Sequence, residues 1–112
     1  MLPSHVPERD RAALAEFARR VRSALGPRLV ELRLFGSKAR GDATSESDLD
    51  VAVVTDGPSP GCEDEVVDIA FDVDLAFDVY ISPRVLPESI LRHPVWSLTG
   101  FIRAVEQEGI RL

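Results

Sequence analysis

The sequence predicts an α/β fold in which a small mixed β-sheet of about three strands carries helices packed on it. Apolar residues recur at helical spacing near the N-terminus, and two later apolar runs have the length and pattern of strands. With 112 residues, of which 45% are hydrophobic, the chain has the size of one globular domain with one core. We therefore take residues 1–112 as a single domain.

The N-terminal half is predicted to run helix, strand, helical turn, strand. Apolar residues at three- and four-residue steps predict a helix over Glu8–Leu25, which Gly26-Pro27 ends. Leu29–Phe35 alternates as a strand does, and Ser37–Arg40 is predicted to form a helical turn. After a polar, turn-rich stretch at 42–47, Leu49–Val54 is nearly continuously apolar, as expected of a central strand.

The segment after the second strand fits two patterns at once. Val66, Ala70 and Val73 share a helical face, whereas every second residue from Phe71 to Ile81 is apolar, as in a strand. Two neighbouring strands need a crossover of about a dozen residues if they run parallel. We therefore predict a helix from about residue 63 to 76 and a third strand over 77–82.

The C-terminal part is predicted to be helical. Pro83 and Pro87 bracket a turn, and a short helix over Glu88–Arg92 precedes a final one over Val95–Glu108. Gly109 stands where a glycine commonly ends a helix in the left-handed conformation.

Charge and composition restrict the kinds of partner. The net charge is −6, whereas a nucleic-acid-binding domain normally presents a basic face, so no nucleic-acid partner is expected. An acidic surface suits a protein partner or a basic peptide better. The lone Cys62 agrees with a reducing compartment, and no apolar run approaches the roughly 18 residues of a membrane span. We expect a cytoplasmic protein without a membrane partner.

Chemistry-bearing residues concentrate where the first two strands meet the loop between them. Asp48 and Asp50 are two positions apart, so on a strand both carboxylates project to the same side and repel each other. A hard cation such as Mg²⁺ relieves that repulsion. Gly36 lets backbone amides approach an anion, and the Ser37 hydroxyl can hold phosphate oxygens. Together the residues predict a nucleotide site.

These motifs resemble a known signature. Gly36-Ser37, ten residues and then Asp48-x-Asp50 resemble the signature of the nucleotidyltransferase superfamily that includes DNA polymerase beta. The longer stretch GSKARGDATSESDLDVAVV resembles the minimal nucleotidyltransferases, many of which are antitoxins encoded beside HEPN-domain toxins. The resemblance covers about twenty central residues strongly and the stretch from His93 to Leu112 more loosely. It implies a polymerase beta-like nucleotidyltransferase fold.

The resemblance also implies a metal site. Family members use two Mg²⁺ ions held by three acids, of which the third lies on the strand after the crossover helix. Asp78 is the best positional match, so Asp48, Asp50 and Asp78 are the predicted metal-binding and catalytic residues, with Asp78 able to act as general base. If the strand begins earlier, Asp74 or Asp72 takes that place.

The nucleotide contacts follow from the same motif. Gly36, Ser37 and Arg40 are the predicted nucleotide-binding residues. Arg40 either pairs with phosphate or braces the loop onto Asp48, and both roles remain open. Lys38 falls at a variable position of the motif and is predicted to face solvent, with a phosphate contact as the alternative.

Three functions fit the sequence. The first is transfer of AMP from ATP to a hydroxyl, implied to be a tyrosine, on a HEPN-type toxin that is thereby silenced. The second is a binding module that keeps the fold without the activity and neutralises the toxin by contact. The third is an acid-modifying or small-molecule transferase that works without a partner protein. Homo-oligomers and hetero-oligomers both remain open.

Overall fold

A computed structural model describes residues 2–42, 47–58 and 60–112 of the chain. Its helices are α1 (Glu8–Leu25), α2 (Ser37–Arg40), α3 (Cys62–Phe77), α4 (Glu88–Leu91) and α5 (Gly100–Glu108), and its strands are β1 (Leu29–Phe35), β2 (Leu49–Thr55), β3 (Ile81–Pro87) and β4 (Ile110–Arg111). Short 3₁₀ turns at Gly26–Arg28 and Trp96–Leu98 precede β1 and α5. Within the described ranges, no helix is both long and apolar enough to cross a membrane.

The sheet is mixed, with the strand order β3-β2-β1-β4. β2 pairs antiparallel with β1 and parallel with β3, while β4 pairs antiparallel with β1. Helix α3 is the crossover between the two parallel strands. The predicted fold class is confirmed, and the sheet has a fourth strand that the sequence did not predict.

Helices cover both faces of the sheet. The main core lies where α1 and α3 pack on one face, around residues such as Phe17, Leu34 and Val51. On the other face, Ile102 and Val105 of α5 pack against a smaller cluster of strand side chains, which are Phe35, Ala52 and Leu86. Because Asp50 has the same strand parity as Ala52, it belongs to this second face.

The predicted elements up to β2 match the observed ones. Helix α1, strand β1 and helix α2 begin and end where their patterns predicted, and β2 extends one residue further, to Thr55. The polar stretch predicted at 42–47 lies largely outside the described residues, which do not include 43–46.

The crossover helix and the strand after it are present, but the bounds predicted for that third strand, 77–82, were wrong. Helix α3 continues to Phe77, Asp78 caps it in the left-handed conformation, and β3 begins only at Ile81. Pro83 and Pro87 lie within this strand instead of bracketing a turn. β3 is hydrogen-bonded to β2 alone in the sheet order, and an edge strand tolerates prolines because their missing N–H groups are not needed by a neighbour.

The final helix starts later than its apolar pattern suggested. Thr99 is its N-cap, with the hydroxyl accepting a hydrogen bond from the Ile102 amide at 3.4 Å. Gly109 is extended (φ −61°, ψ 131°), not left-handed as predicted. A Cβ at this position would meet the Val105 carbonyl oxygen at 2.2 Å, so close packing explains the glycine.

Candidate active site

Two carboxylates stand at the beginning of β2. Asp50 is paired across the sheet with Phe35 of β1 and Ser82 of β3, and Asp48 precedes the strand as an exposed residue. Burial raises the pKa of Asp50, and the negative charge of Asp48 raises it further, while the positive charges of Arg84 and Arg40 lower it. The predicted repulsion between the two aspartates is therefore present.

The Gly36-Ser37 turn lies directly against this pair. Gly36 has φ +77° and ψ −158°, and a Cβ on it would lie 2.4 Å from Oδ2 of Asp50. Only glycine allows both this backbone conformation and such a close approach. Ser37 follows as the first residue of α2, so the structure brings the glycine–serine turn and the aspartates together.

Asp78 lies elsewhere than predicted. It caps α3 with φ 55° and ψ 51°, its side chain is fully exposed, and Oδ2 is 3.8 Å from a guanidinium nitrogen of Arg9. The prediction placed it on the third strand beside Asp50. That position belongs to β3, which begins three residues later, so the structure does not bring Asp78 into line with the pair.

Strand β3, the parallel neighbour of Asp50, carries no acid. Ser82 is the direct partner of Asp50 in β3, and Arg84 is the next residue of the same parity. The Arg84 guanidinium lies 5.8 Å from the centre of the Phe101 ring. Sequence reasoning missed Arg84, because its position beside the aspartates follows from the register of β3, which the prolines concealed.

Asp74 is a third acid, which interacts electrostatically with Asp48. It lies on the last turn of α3, where Oδ1 accepts a hydrogen bond from the Ile81 amide at 2.8 Å. Burial raises the pKa of Asp74, the Ile81 hydrogen bond lowers it, and the charge of Asp48 raises it. Across the three described ranges, no group of three or more His, Cys, Asp or Glu residues could hold a metal ion as the side chains stand.

Arg40 ties α2 to the end of α5. It contacts Asp42 at 3.1 Å and Glu108 at 2.5 Å, and these two hydrogen bonds, that to Glu108 foremost, raise the pKa of Arg40. Of the two roles left open for Arg40, the brace onto Asp48 is not observed among the described contacts, since its ion pairs are with Glu108 and Asp42. Its positive charge still lowers the pKa of Asp50.

Lys38 is buried, which contradicts the prediction that it faces solvent. Its ammonium nitrogen lies 2.8 Å from Oδ2 of Asp10, and both side chains are at most 5% exposed. The Lys38 carbonyl oxygen also accepts a hydrogen bond from Nε2 of His5 at 2.9 Å. The start of α1 therefore fixes the helical turn that follows the glycine–serine motif.

The fold and the site define a nucleotidyltransferase: a strand, a Gly-Ser turn with a short helix, and a second strand that opens with Asp-x-Asp. The family model described as "Nucleotidyltransferase domain" matches residues 14–110. The chain belongs to this family.

Two curated relatives come from Methanocaldococcus jannaschii. One, named "Putative protein adenylyltransferase MJ0141", is 33% identical over 100 residues, which cover 88% of this chain and 94% of the relative. The other, named "Putative protein adenylyltransferase MJ0604", is 35% identical over 101 residues, covering 89% and 94%. The chain is thus a nucleotidyltransferase similar to proteins named as protein adenylyltransferases.

Solved structures share the fold. A chain described as a "putative minimal nucleotidyltransferase" is 25% identical, with a TM-score of 0.52 and coverage of 89% of this chain and 95% of that one. A mutant of the toxin-antitoxin MntA-HpeT aligns with a TM-score of 0.54 at 18% identity, covering 84% of this chain and 68% of that one. A toxin-antitoxin with AMP-PNP aligns with a TM-score of 0.53 at 22% identity, covering 85% and 68%.

Proposed function

We propose that this protein transfers AMP from ATP to a hydroxyl group of a partner protein. We take the acceptor to be a tyrosine of a HEPN-type toxin, as the family resemblance implies, so that the protein acts as the antitoxin. The names of the relatives support protein adenylylation, and the toxin-antitoxin structures support a toxin partner. The observation that carries the proposal is the contact between Gly36 and the Asp50 carboxylate.

In this proposal Asp48 and Asp50 hold Mg²⁺ together with the triphosphate. The donor set fits, because burial and then the charge of Asp48 raise the pKa of Asp50, and a bound cation offsets both costs of its negative charge. Magnesium, when bound, neutralises phosphate charge and makes the phosphorus easier to attack. The resemblance implies two ions, but β3 offers no third carboxylate, so the protein side chains fit one.

The glycine–serine turn and the nearby arginines take the triphosphate. Gly36 lets the turn lie directly against the Asp50 carboxylate, and the Ser37 hydroxyl that follows can donate to a phosphate oxygen. Arg84 and Arg40 supply positive charge close enough to lower the pKa of Asp50. That charge favours a polyanion beside the aspartates.

The proton of the acceptor hydroxyl needs a base. Asp78 was the predicted base, yet its fully exposed position beside Arg9 gives this role no support. Asp74 fits better, because burial and the charge of Asp48 raise its pKa and thus its basicity. We therefore propose Asp74 for this step.

A second function remains: a binding module that neutralises the toxin without chemistry. The absence of an acid from β3 favours it, because family catalysis uses three. A binding module would neutralise the toxin without Asp48, whereas AMP transfer requires this residue.

Label transfer tests the proposal. Purified protein is incubated with Mg²⁺, ATP labelled on its α-phosphate, and the product of the neighbouring gene. We expect the partner to be labelled, and we expect Asp48→Asn to reduce the rate at least about 100-fold. Asp56→Asn, which removes the same charge at the far end of β2, is the matched control and keeps the rate.

The same assay separates the two candidate bases. Asp74→Asn should slow transfer at saturating ATP, whereas Asp78→Asn should not. Equal losses in both variants would contradict the choice of Asp74. Stable complex formation without any label transfer by the wild-type protein would overturn the enzymatic function in favour of the binding module.

A further inference from the structure

Helix α3 exposes a row of large apolar side chains. Val67, Phe71 and Leu75 are spaced four residues apart, so they share one helix face, and they are 49%, 61% and 71% exposed. The buried face of the helix, formed by residues such as Val66 and Val73, lies on its opposite side. Single exposed apolar residues are common, whereas a contiguous row that includes a phenylalanine indicates a surface that contacts a partner. We call these three residues the α3 stripe.

Acidic side chains flank the α3 stripe. Between residues 62 and 78 the sequence has seven acids and no lysine, arginine or histidine. Asp64 and Asp68 lie on the same outward face as the stripe. Among the described residues, ion pairs reach Glu65, Asp72 and Asp78, and none involves Asp64 or Asp68.

Exposed apolar residues flanked by acids limit the kind of molecule that can bind the α3 stripe. A second copy of the chain would bring two acidic helices face to face, which like-charge repulsion disfavours. Nucleic acid and anionic membranes are disfavoured by the same charge. A protein helix with a row of apolar residues flanked by lysine or arginine complements both properties of the surface.

We propose that the α3 stripe is the docking surface for a cationic amphipathic helix of the acceptor protein. The identification of the occupant as the acceptor rests on the proposed function. The end of the helix supports it, since Asp74 adjoins Leu75 in the chain and interacts electrostatically with Asp48. Beyond the helix, the Tyr80 carbonyl accepts a hydrogen bond from the Leu49 amide at 2.8 Å, so the segment that follows α3 returns to the chain between the two aspartates.

A model peptide tests the surface without knowledge of the acceptor. The probe is an 18-residue amphipathic helix of leucine and lysine, and a peptide with glutamate in place of lysine is its control. Binding is followed by amide chemical shifts of the isotope-labelled protein at two salt concentrations. We expect the lysine peptide to shift α3 resonances, with weaker binding at high salt, and the glutamate peptide not to bind.

Variants separate apolar contact from charge. Phe71→Asn/Leu75→Asn keeps the net charge and should weaken peptide binding at least tenfold. Asp64→Asn/Asp68→Asn should weaken it and reduce its salt dependence. Val95→Asn/Leu98→Asn, at two apolar residues exposed elsewhere, is the matched control and should leave binding unchanged. Equal binding by the wild type and the Phe71/Leu75 variant, or shifts centred outside α3, would overturn the proposal.

Failure of the docking surface and failure of the proposed function are distinguishable. Asp48→Asn should lose label transfer and bind the peptide as the wild type does. Phe71→Asn/Leu75→Asn should lose most transfer to the acceptor while binding AMP-PNP with unchanged affinity. Unchanged transfer by this variant would refute docking of the acceptor on the stripe, even if the transfer itself is real.

Discussion

Asp50 is a carboxylate that the folded protein makes harder to ionise. Burial and the neighbouring charge of Asp48 raise its pKa above the ordinary 3.8. The folded state therefore binds this proton more strongly than the unfolded state does, and stability falls as the pH rises from 3.8 through the raised pKa. At neutral pH the folded protein retains that penalty, which is the expected property of a residue placed for cation binding and not for stability.

Asp50→Asn should therefore stabilise the protein at pH 7. We expect a gain below about 1 kcal/mol, since Asp50 is partly exposed and solvent screens the repulsion. Urea unfolding at pH 7 and pH 3 measures it, and the gain should vanish at pH 3, where the wild-type carboxyl is protonated. Addition of MgCl₂ should raise the melting temperature of the wild type and not of the variant. A variant less stable than the wild type at pH 7 would contradict this account.

At the scale of elements, the buried pair between Lys38 and Asp10 joins α1 to α2. Burying either charge alone has a high desolvation cost. When both are buried together, their mutual attraction offsets much of that cost. Arg9 adds weaker compensation, with Nε 3.9 Å from Oδ1 of Asp10. The pair thus fixes the turn that holds Gly36 against Asp50, and its integrity bears on the geometry of the site.

Lys38→Met should be strongly destabilising, because it leaves Asp10 buried without its main partner. We expect a loss near the lower end of about 3–5 kcal/mol in urea unfolding, given the residual help from Arg9. The double variant Asp10→Leu/Lys38→Met should recover most of the loss. Arg92→Gln, which breaks an exposed ion pair with Glu88, is the control and should change stability by less than about 1 kcal/mol. A double variant no more stable than Lys38→Met would show that the pair is not the cause.

The sequence was sufficient wherever one periodicity dominated. Helix α1 and strand β1 have unambiguous patterns and were predicted to the residue, as was the Gly36-Asp50 neighbourhood, which a spaced motif indicates. The segment before β3 carries both helical and strand periods, so its boundary could not be read. The pairing of β3 with β2, which is a tertiary contact, determines where β3 begins.

Arg84 and Lys38 were also missed because their positions depend on tertiary contacts. The place of Arg84 beside Asp50 depends on the register of β3, which local pattern does not encode. Lys38 is predicted to face solvent because it falls at a variable position of the motif, yet the structure buries it. Its partner Asp10 is 28 residues away, and a single ion pair over that separation leaves no periodic signal.

At the scale of the whole molecule, charge is divided between regions. All the charged residues of helix α3 and its cap are acidic, whereas residues 84–103 contain three arginines and one glutamate. The acidic region carries the proposed docking surface, and the basic one contributes Arg84 to the aspartates. A cationic partner and an anionic triphosphate would therefore be drawn to different parts of one small molecule.

The C-terminal residues complete the sheet, which makes their removal a test of the whole fold. β4 covers the outer edge of β1: the Leu112 amide donates to the Leu32 carbonyl at 3.0 Å, and Arg111 lies 3.1 Å from Glu31. Ile110 and Leu112 also pack against the main core.

Deletion of residues 110–112 should reduce the free energy of unfolding by about 1–3 kcal/mol. It should also promote self-association, because β1 becomes an unprotected edge strand. Urea unfolding and light scattering after size exclusion measure the two effects, with Arg111→Gln as the control that keeps the backbone pairing. A truncated protein as stable and as monodisperse as this control would show that β4 contributes neither stability nor edge protection.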